Sequence, residues 1–126
     1  TNFKYLKKNS IVNLERSLKF GDEIAGHFVQ GHIDTSGKIK SIKKQLKTWT
    51  IAVSISPNYS NYLIDKGSIS INGVSLTIVK VNKNIFTLVI IPHTLKETNL
   101  INLTKNDIVN IEFDIVIKYL NKVNNK

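Results

Sequence analysis

The sequence predicts a small all-β protein, an antiparallel barrel followed by a C-terminal helix. Three features carry that expectation. Residues 68–78 place Asn72-Gly73 between two alternating apolar–polar runs. A two-residue turn of that kind, with φ > 0 at both positions, is the strongest short-range hairpin signal. Residues 48–55 alternate with period two, as a half-buried strand does. Residues 85–91 form an apolar run of strand length that Pro92 stops. Several short strands with turn signals between them close most readily into a small barrel.

The N-terminal stretch is read through an internal repeat. Residues 1–16, TNFKYLKKNSIVNLER, match residues 98–113, TNLINLTKNDIVNIEF, at an offset of 97 with nine of 16 positions identical. Lys, Asn and Ile supply 51 of the 126 residues, the mark of an A/T-rich coding bias, so some Lys and Asn matches follow from composition. Thr, Leu, Val and Glu in register do not. Residues 1–16 therefore read as the end of one module and the remainder as a second copy. The expectation is a piece of a tandem-repeat protein in which most of the first module is absent.

In the strand at 48–55, Trp49, Ile51, Val53 and Ile55 share one face, and Thr48, Thr50, Ala52 and Ser54 the other. Tyr59, Tyr62 and Leu63 fall at i, i+3 and i+4, which suits one or two helical turns between Pro57 and Lys66. A two-residue hairpin loop pairs Ile71 with Val74 and Ser70 with Ser75. Ile69, Ile71, Val74, Leu76 and Ile78 then face the core. Ser68, Ser70, Ser75 and Thr77 form a small hydroxyl-lined surface on the other side. Residues 108–113 read as a closing strand. In the tail, Ile115, Tyr119, Leu120 and Val123 recur at helical spacing, with Asp114 at the start, where an acid is favoured.

Composition excludes several function classes. There is no cysteine, hence no disulfide, thiolate metal site or cysteine nucleophile. No apolar run approaches the roughly 20 residues that span a bilayer, and the N-terminus has no apolar h-region. A cytoplasmic globular protein is expected. The net charge of +9 invites a nucleic-acid reading, but 17 of the 18 basic residues are Lys, and only Arg16 offers the bidentate fork that base readout favours. The densest cluster, Lys38, Lys40, Lys43, Lys44 and Lys47, reads as a solvated loop. A single-strand-binding barrel would carry aromatics on an exposed face, whereas Trp49 and Phe86 fall at core positions.

Candidate chemistry is sparse. His27 and His32 lie five apart in GHFVQGH, a spacing that converges on neither a strand nor a helix, so a metal site from this pair is not expected. The paired Gly-His dipeptides suit a backbone that approaches something closely or turns tightly. Pro92, His93 and Thr94 follow a buried strand directly, and the strand end leaves N–H and C=O groups that a planar heterocycle could use. Lys66-Gly67 before a strand is either a ligand anchor or a solvated turn. No phosphate loop, nucleophile elbow or HExxH is present.

Five blocks together carry a resemblance. IVNLER (11–16), GDEIAGHFVQGHID (21–34), KGSISINGVSLTI (66–78), IPHTLKETNL (91–100) and VNIEFD (109–114) resemble, in order and spacing, the C-terminal half of the riboflavin synthase family. The resemblance implies a six-stranded Greek-key barrel with a C-terminal α-helix. Residues 1–16 would end a first lumazine-binding barrel, 17–113 would form the second, and 114–126 an oligomerisation helix. It implies dismutation of two 6,7-dimethyl-8-ribityllumazine molecules to riboflavin and 5-amino-6-ribitylamino-uracil, with neither metal nor organic cofactor. Two pteridines are held face to face, a methyl group is deprotonated and a nucleophile adds to the ring, so much of the rate comes from positioning. The family's site forms between barrels of neighbouring subunits in a homotrimer. A non-catalytic lumazine- or flavin-binding protein of the same fold is the alternative.

Residue by residue, the resemblance places Ser75, Leu76 and Thr77 at the pteridine, and Ile91, Pro92, His93 and Thr94 at the ring and ribityl chain. Lys66 takes the polar end of the substrate, and Gly31, His32 and Ile33 line the pocket. His32 is implied as the proton-transfer group, since imidazole titrates near neutrality. Ser75 and Asp114 complete the implied catalytic set. Ser17 stands at the repeat position of Asp114, so the two barrels would contribute unequally. His27 is assigned to structure.

Overall fold

A computed structural model of the chain describes residues 1–124. Six antiparallel strands close into a barrel: β1 (Thr35–Lys44), β2 (Trp49–Ser54), β3 (Ser68–Ile71), β4 (Val74–Asn82), β5 (Ile85–Ile90) and β6 (Ile108–Phe113). Their order around the barrel is β1-β2-β5-β4-β3-β6. The β2–β3 and β5–β6 connections therefore cross the barrel ends in Greek-key fashion. The first contains a 3-10 helix at Pro57–Tyr62; the second holds α1 (Pro92–Glu97) and a 3-10 turn at Asn99–Asn102. α2 (Ile115–Asn124) ends the described chain, and Asn125 and Lys126 of the expected helix lie outside it.

The hairpin forms as its turn chemistry requires. Asn72 and Gly73 take φ of 50° and 83°. Ile71 pairs with Val74 and Ser70 with Ser75. Inside the barrel, Phe86, Phe113 and eight Ile side chains are part of one continuous core. Tyr59 and Tyr62, predicted on a short helical stretch, stack on Phe113 with centroids 5.7 and 5.1 Å away. They cap that end of the core.

One strand departs from the sequence reading. The lysine cluster is not a loop: Lys38, Lys40, Lys43 and Lys44 belong to β1, and only Lys47 lies in the turn that follows. Gly37 and Ile39 point inward between exposed lysines. A bulge between Ile39 and Ser41 then breaks the alternation, which hides the period-two pattern. Gly37 is required here, because a Cβ would lie 2.6 Å from Ile111 Cδ1. Trp49 is also only half-buried, with Lys44 Nζ 4.2 Å above its ring.

Residues 1–34 contain no strand. Asn2, Asn13 and the stretch from Gly26 to Asp34 reach the outer face of β6, β3 and β4, whereas Leu14 and Phe20 stand exposed, and the contacts change the character of that face. Asn110, Glu112 and Ser70 point away from the core yet are only 4%, 2% and 1% exposed.

Candidate functional site

The outer face of β6, β3 and β4 is organised in rows set by strand register. Glu112 lies beside Ser70, which lies opposite Ser75. One step along, Ser68 pairs with Thr77, and Asp114 follows the last β3–β6 pair, Ile69↔Phe113. The first polar row thus crosses three strands and the second two, with Asp114 just past the end of β6. The structure treats them differently.

The first row is roofed by the segment leading into β1, which acts as a strap. Gly26 passes so close to β4 that a Cβ there would be 2.5 Å from Ser75 Oγ, and its φ is +105°. His27 Nδ1 is 2.8 Å from Ser75 Oγ, in hydrogen-bond contact. The Gln30 amide donates to Glu112 Oε1 at 2.6 Å. Farther on, Asp34 accepts from the Phe113 amide at 2.8 Å and pairs with Lys118 of α2 at 2.9 Å. Of the two Gly-His pairs, the first meets a close approach and the second a turn: Gly31 has φ +76° with no neighbour within 4 Å. His32, exposed, and Ile33, half-buried, lie between the anchors at Gln30 and Asp34.

The second row stays open. Thr77 is exposed and Ser68 half-buried. Lys66, exposed and at φ 65°, donates its amide to Ile78 O at 2.8 Å, which places it at the end of this row. Asp114 is half-buried; its Oδ1 accepts the Val116 amide at 2.9 Å and caps α2, as the acid at the helix start predicted.

Beside the rows the barrel wall is split. The β4–β5 ladder ends at Ile78↔Leu88, although β5 continues to pair with β2 as far as Ile90 and β4 with β3 back to Val74. Residues 74–77 and 89–91 therefore face each other without strand pairing on that side. Ile91 is exposed at this edge, and Pro92 begins α1 at its first position, with His93 exposed and Thr94 half-buried beyond it. Such a gap offers backbone donors and acceptors to the edge of a flat, polar heterocycle.

Of the predicted residues, Ser75 and Thr77 lie on the outer face of β4 with Lys66 at its approach, Ile91 to Thr94 follow the end of β5, Gly31 to Ile33 lie on the strap and Asp114 caps α2, with two qualifications. Leu76 is turned into the core at 9% exposure, so only its backbone reaches the gap. Ser75 does not have a free hydroxyl but holds the strap. Sequence reasoning missed Glu112 and Asp34 as anchors, and Ser70 as a buried hydroxyl with no hydrogen-bond partner among the described residues. The available signal was Glu112 itself, a carboxylate matched by Glu15 across the repeat in an otherwise apolar strand.

Residues 30–114, from the strap through β6 to Asp114, match the Lumazine binding domain family. The chain belongs to that family. It is 45% identical over 120 residues to riboflavin synthase of Actinobacillus pleuropneumoniae, covering 95% of this chain and 56% of that protein. It is 38% identical to riboflavin synthase of Bacillus subtilis (strain 168), with the same coverage. The chain spans about half the length of the curated relatives it matches. Its barrel superposes on LumP complexed with riboflavin at TM-score 0.83 and 26% identity, covering 90% of this chain and 61% of that one. For LumP complexed with 6,7-dimethyl-8-(1'-D-ribityl) lumazine the values are 0.79, 27%, 89% and 60%. No helix among the described residues is long and apolar enough to cross a membrane.

Proposed function

We propose that this chain supplies one lumazine-binding barrel to a riboflavin synthase, which dismutates two 6,7-dimethyl-8-ribityllumazine molecules to riboflavin and 5-amino-6-ribitylamino-uracil. The observation that carries the reading is the split between β4 and β5 beside an open polar row, in a chain with such relatives. The pteridine edge bonds the unpaired backbone of 75–77 and 89–91, and Ile91 covers a ring face. Lys66, Thr77 and the Pro92–Thr94 corner take the ribityl chain and the polar end. Gly31 lets the strap turn, so that His32 and Ile33 reach the pocket. His32 moves the methyl proton, and Asp114 holds charge at the far end of the open row. The work of the site is alignment of two flat rings, which requires no strong acid or base.

In this reading residues 1–16 close a first barrel, 17–113 form the second and 114–126 assemble a cytoplasmic homotrimer whose sites lie between barrels. Neither nucleic acid nor membrane takes part. The LumP likeness favours one other reading, a lumazine- or riboflavin-binding protein without turnover. A fluorescence titration with 6,7-dimethyl-8-ribityllumazine tests the shared part. Saturation at one ligand per chain is expected, and an absence of saturable binding would overturn both readings. Riboflavin formation by a protein of the relatives' full length then separates them: turnover supports the synthase, and tight binding without turnover supports the carrier.

A further inference from the structure

The repeat is present in three dimensions as well as in sequence. Phe3 and Leu100, 97 apart, each donate their amide to a Thr hydroxyl two residues earlier, at 3.2 and 3.4 Å. Lys7 and Thr104 donate to Ser10 and Asp107 at 2.9 and 2.7 Å. Asn9 and Asn106 both adopt positive φ, 70° and 77°. More telling, the two copies hold each other reciprocally. The Asn2 amide donates to Asn110 Oδ1 at 2.5 Å, and the Asn99 amide to Asn13 Oδ1 at 2.7 Å. Asn2 Nδ2 donates to Ile108 O at 2.9 Å, and Asn99 Nδ2 to Ile11 O at 3.0 Å. Exchanging the copies maps each bond onto its counterpart, which is the mark of a two-fold, self-complementary contact.

A groove of about 650 Å³ lies along this contact. Its walls are repeat pairs, among them Leu6/Leu103, Asn9/Asn106 and Ile11/Ile108; Asn72 alone has no counterpart. Asn72 is the turn of the β3–β4 hairpin. Its Oδ1 accepts the Asn110 amide at 2.8 Å, its amide donates to Asn110 O at 3.0 Å, and its carbonyl accepts from Asn13 Nδ2 at 2.9 Å. Two-fold symmetry requires the same three bonds on the other side, at Asn13 N–H, Asn13 O and Asn110 Nδ2. None of these three groups has a hydrogen-bond partner among the described residues.

From this we infer that the groove is a docking site for the Asn-Gly hairpin turn of a second barrel module of this same kind, the one that residues 1–16 complete. Its Asn side chain takes the Asn13 amide as Asn72 takes that of Asn110. The four asparagines 2, 13, 99 and 110 then fix how two modules are turned relative to each other. Relatives about twice the length of this chain leave room for such a module. The inference rests on the repeat and its unfilled bonds, and it stands or falls apart from the lumazine reading.

The test uses a tandem chain, residues 17–97 fused ahead of residue 1, so that residues 1–16 become the last segment of a complete first module. Amide hydrogen exchange is read at Asn13 and Asn110 in the tandem and in the present chain. Asn110 is expected to be protected in both. Asn13 is expected to exchange freely in the present chain and about a hundredfold more slowly in the tandem. Asn72→Ala in the first copy alone returns Asn13 to fast exchange and leaves Asn110 protected. An Asn13 amide equally fast in both chains, or already slow in the present one, overturns the inference. A first module that stays unfolded also does, since residues 1–16 then cannot serve as its closing strand.

Discussion

Gly26→Ala perturbs the strap at the point where it is tightest. Two costs add. The alanine must hold φ +105°, in the left-handed half of backbone space, at about 1–2 kcal/mol. Its Cβ would lie 2.5 Å from Ser75 Oγ and 3.0 Å from Ser75 Cβ, and β4 is held by its pairing with β3, so the strap must lift. Lifting breaks the His27–Ser75 contact, worth about 1 kcal/mol. Because Gly26 lies outside the barrel, the sum of about 2–3 kcal/mol falls on local opening rather than global unfolding. Exchange of the Gln30 amide, bonded to Glu112 beneath the same strap, reads that opening. It should quicken roughly 30- to 150-fold at unchanged global stability. Gly21→Ala is the control, with φ +95° and no neighbour within 4 Å. If Gln30 exchanges no faster in Gly26→Ala than in Gly21→Ala, the strap is not held by this contact.

Three further outcomes follow from the structure. Phe86→Ala empties the centre of the barrel, where Phe86 is fully buried, and should cost about 3–5 kcal/mol in urea denaturation. Asp114→Ala removes the α2 cap and should cost about 0.5–2 kcal/mol, whereas Asp114→Asn keeps a capping oxygen and should denature like the parent. In a full-length protein Asp114→Asn should nonetheless slow riboflavin formation with lumazine binding retained, and an unchanged rate would remove Asp114 from the chemistry. The Val81 amide, 2.6 Å from Asp65, and then Lys80 hold the Asp65 carboxyl below its ordinary 3.8. A depressed folded-state value stabilises above the unfolded value and is lost as pH falls through the folded one. Asp65→Asn should therefore lower the denaturation midpoint at neutral pH, with the difference fading below 3.8.

What could be read from the sequence followed from local chemistry. The Asn-Gly turn fixed the hairpin register, the period-two run at 48–55 gave β2, and Asp114 marked the start of α2. What escaped reading was set by contacts distant in the chain. β1 was hidden because its lysines dominate the pattern and its bulge interrupts the alternation. Ser70 looked like part of an exposed hydroxyl surface, because nothing local in SISI reports that residues 26–30 cross above it. Ser75 was assigned to the ligand on resemblance, and the structure shows its hydroxyl engaged by His27, 48 residues earlier. A residue's type and neighbours indicate which face of a strand it occupies. They do not indicate what covers that face.

That distinction explains why two adjacent rows on one sheet face have separate roles. Glu112 and Ser75 are consumed in holding the strap, and Ser70 is covered beneath it. Ser68 and Thr77 lie one register step away, with Asp114 just past the end of β6, and are left open by the same strap, because it turns at Gly31 and leaves the face toward Asp34. A buried polar row is costly unless its groups are bonded, and the Gln30 amide and His27 ring meet part of that cost. What the sealed row secures is position: His32 is carried between two anchors on β6 rather than on a free loop. A barrel this small has no deep interior cavity to offer a ligand, since Phe86 and the Ile side chains fill it. Its binding capacity must come from the outer wall, and the places where the wall is unpaired or uncovered are the split beside β5 and the open row next to it.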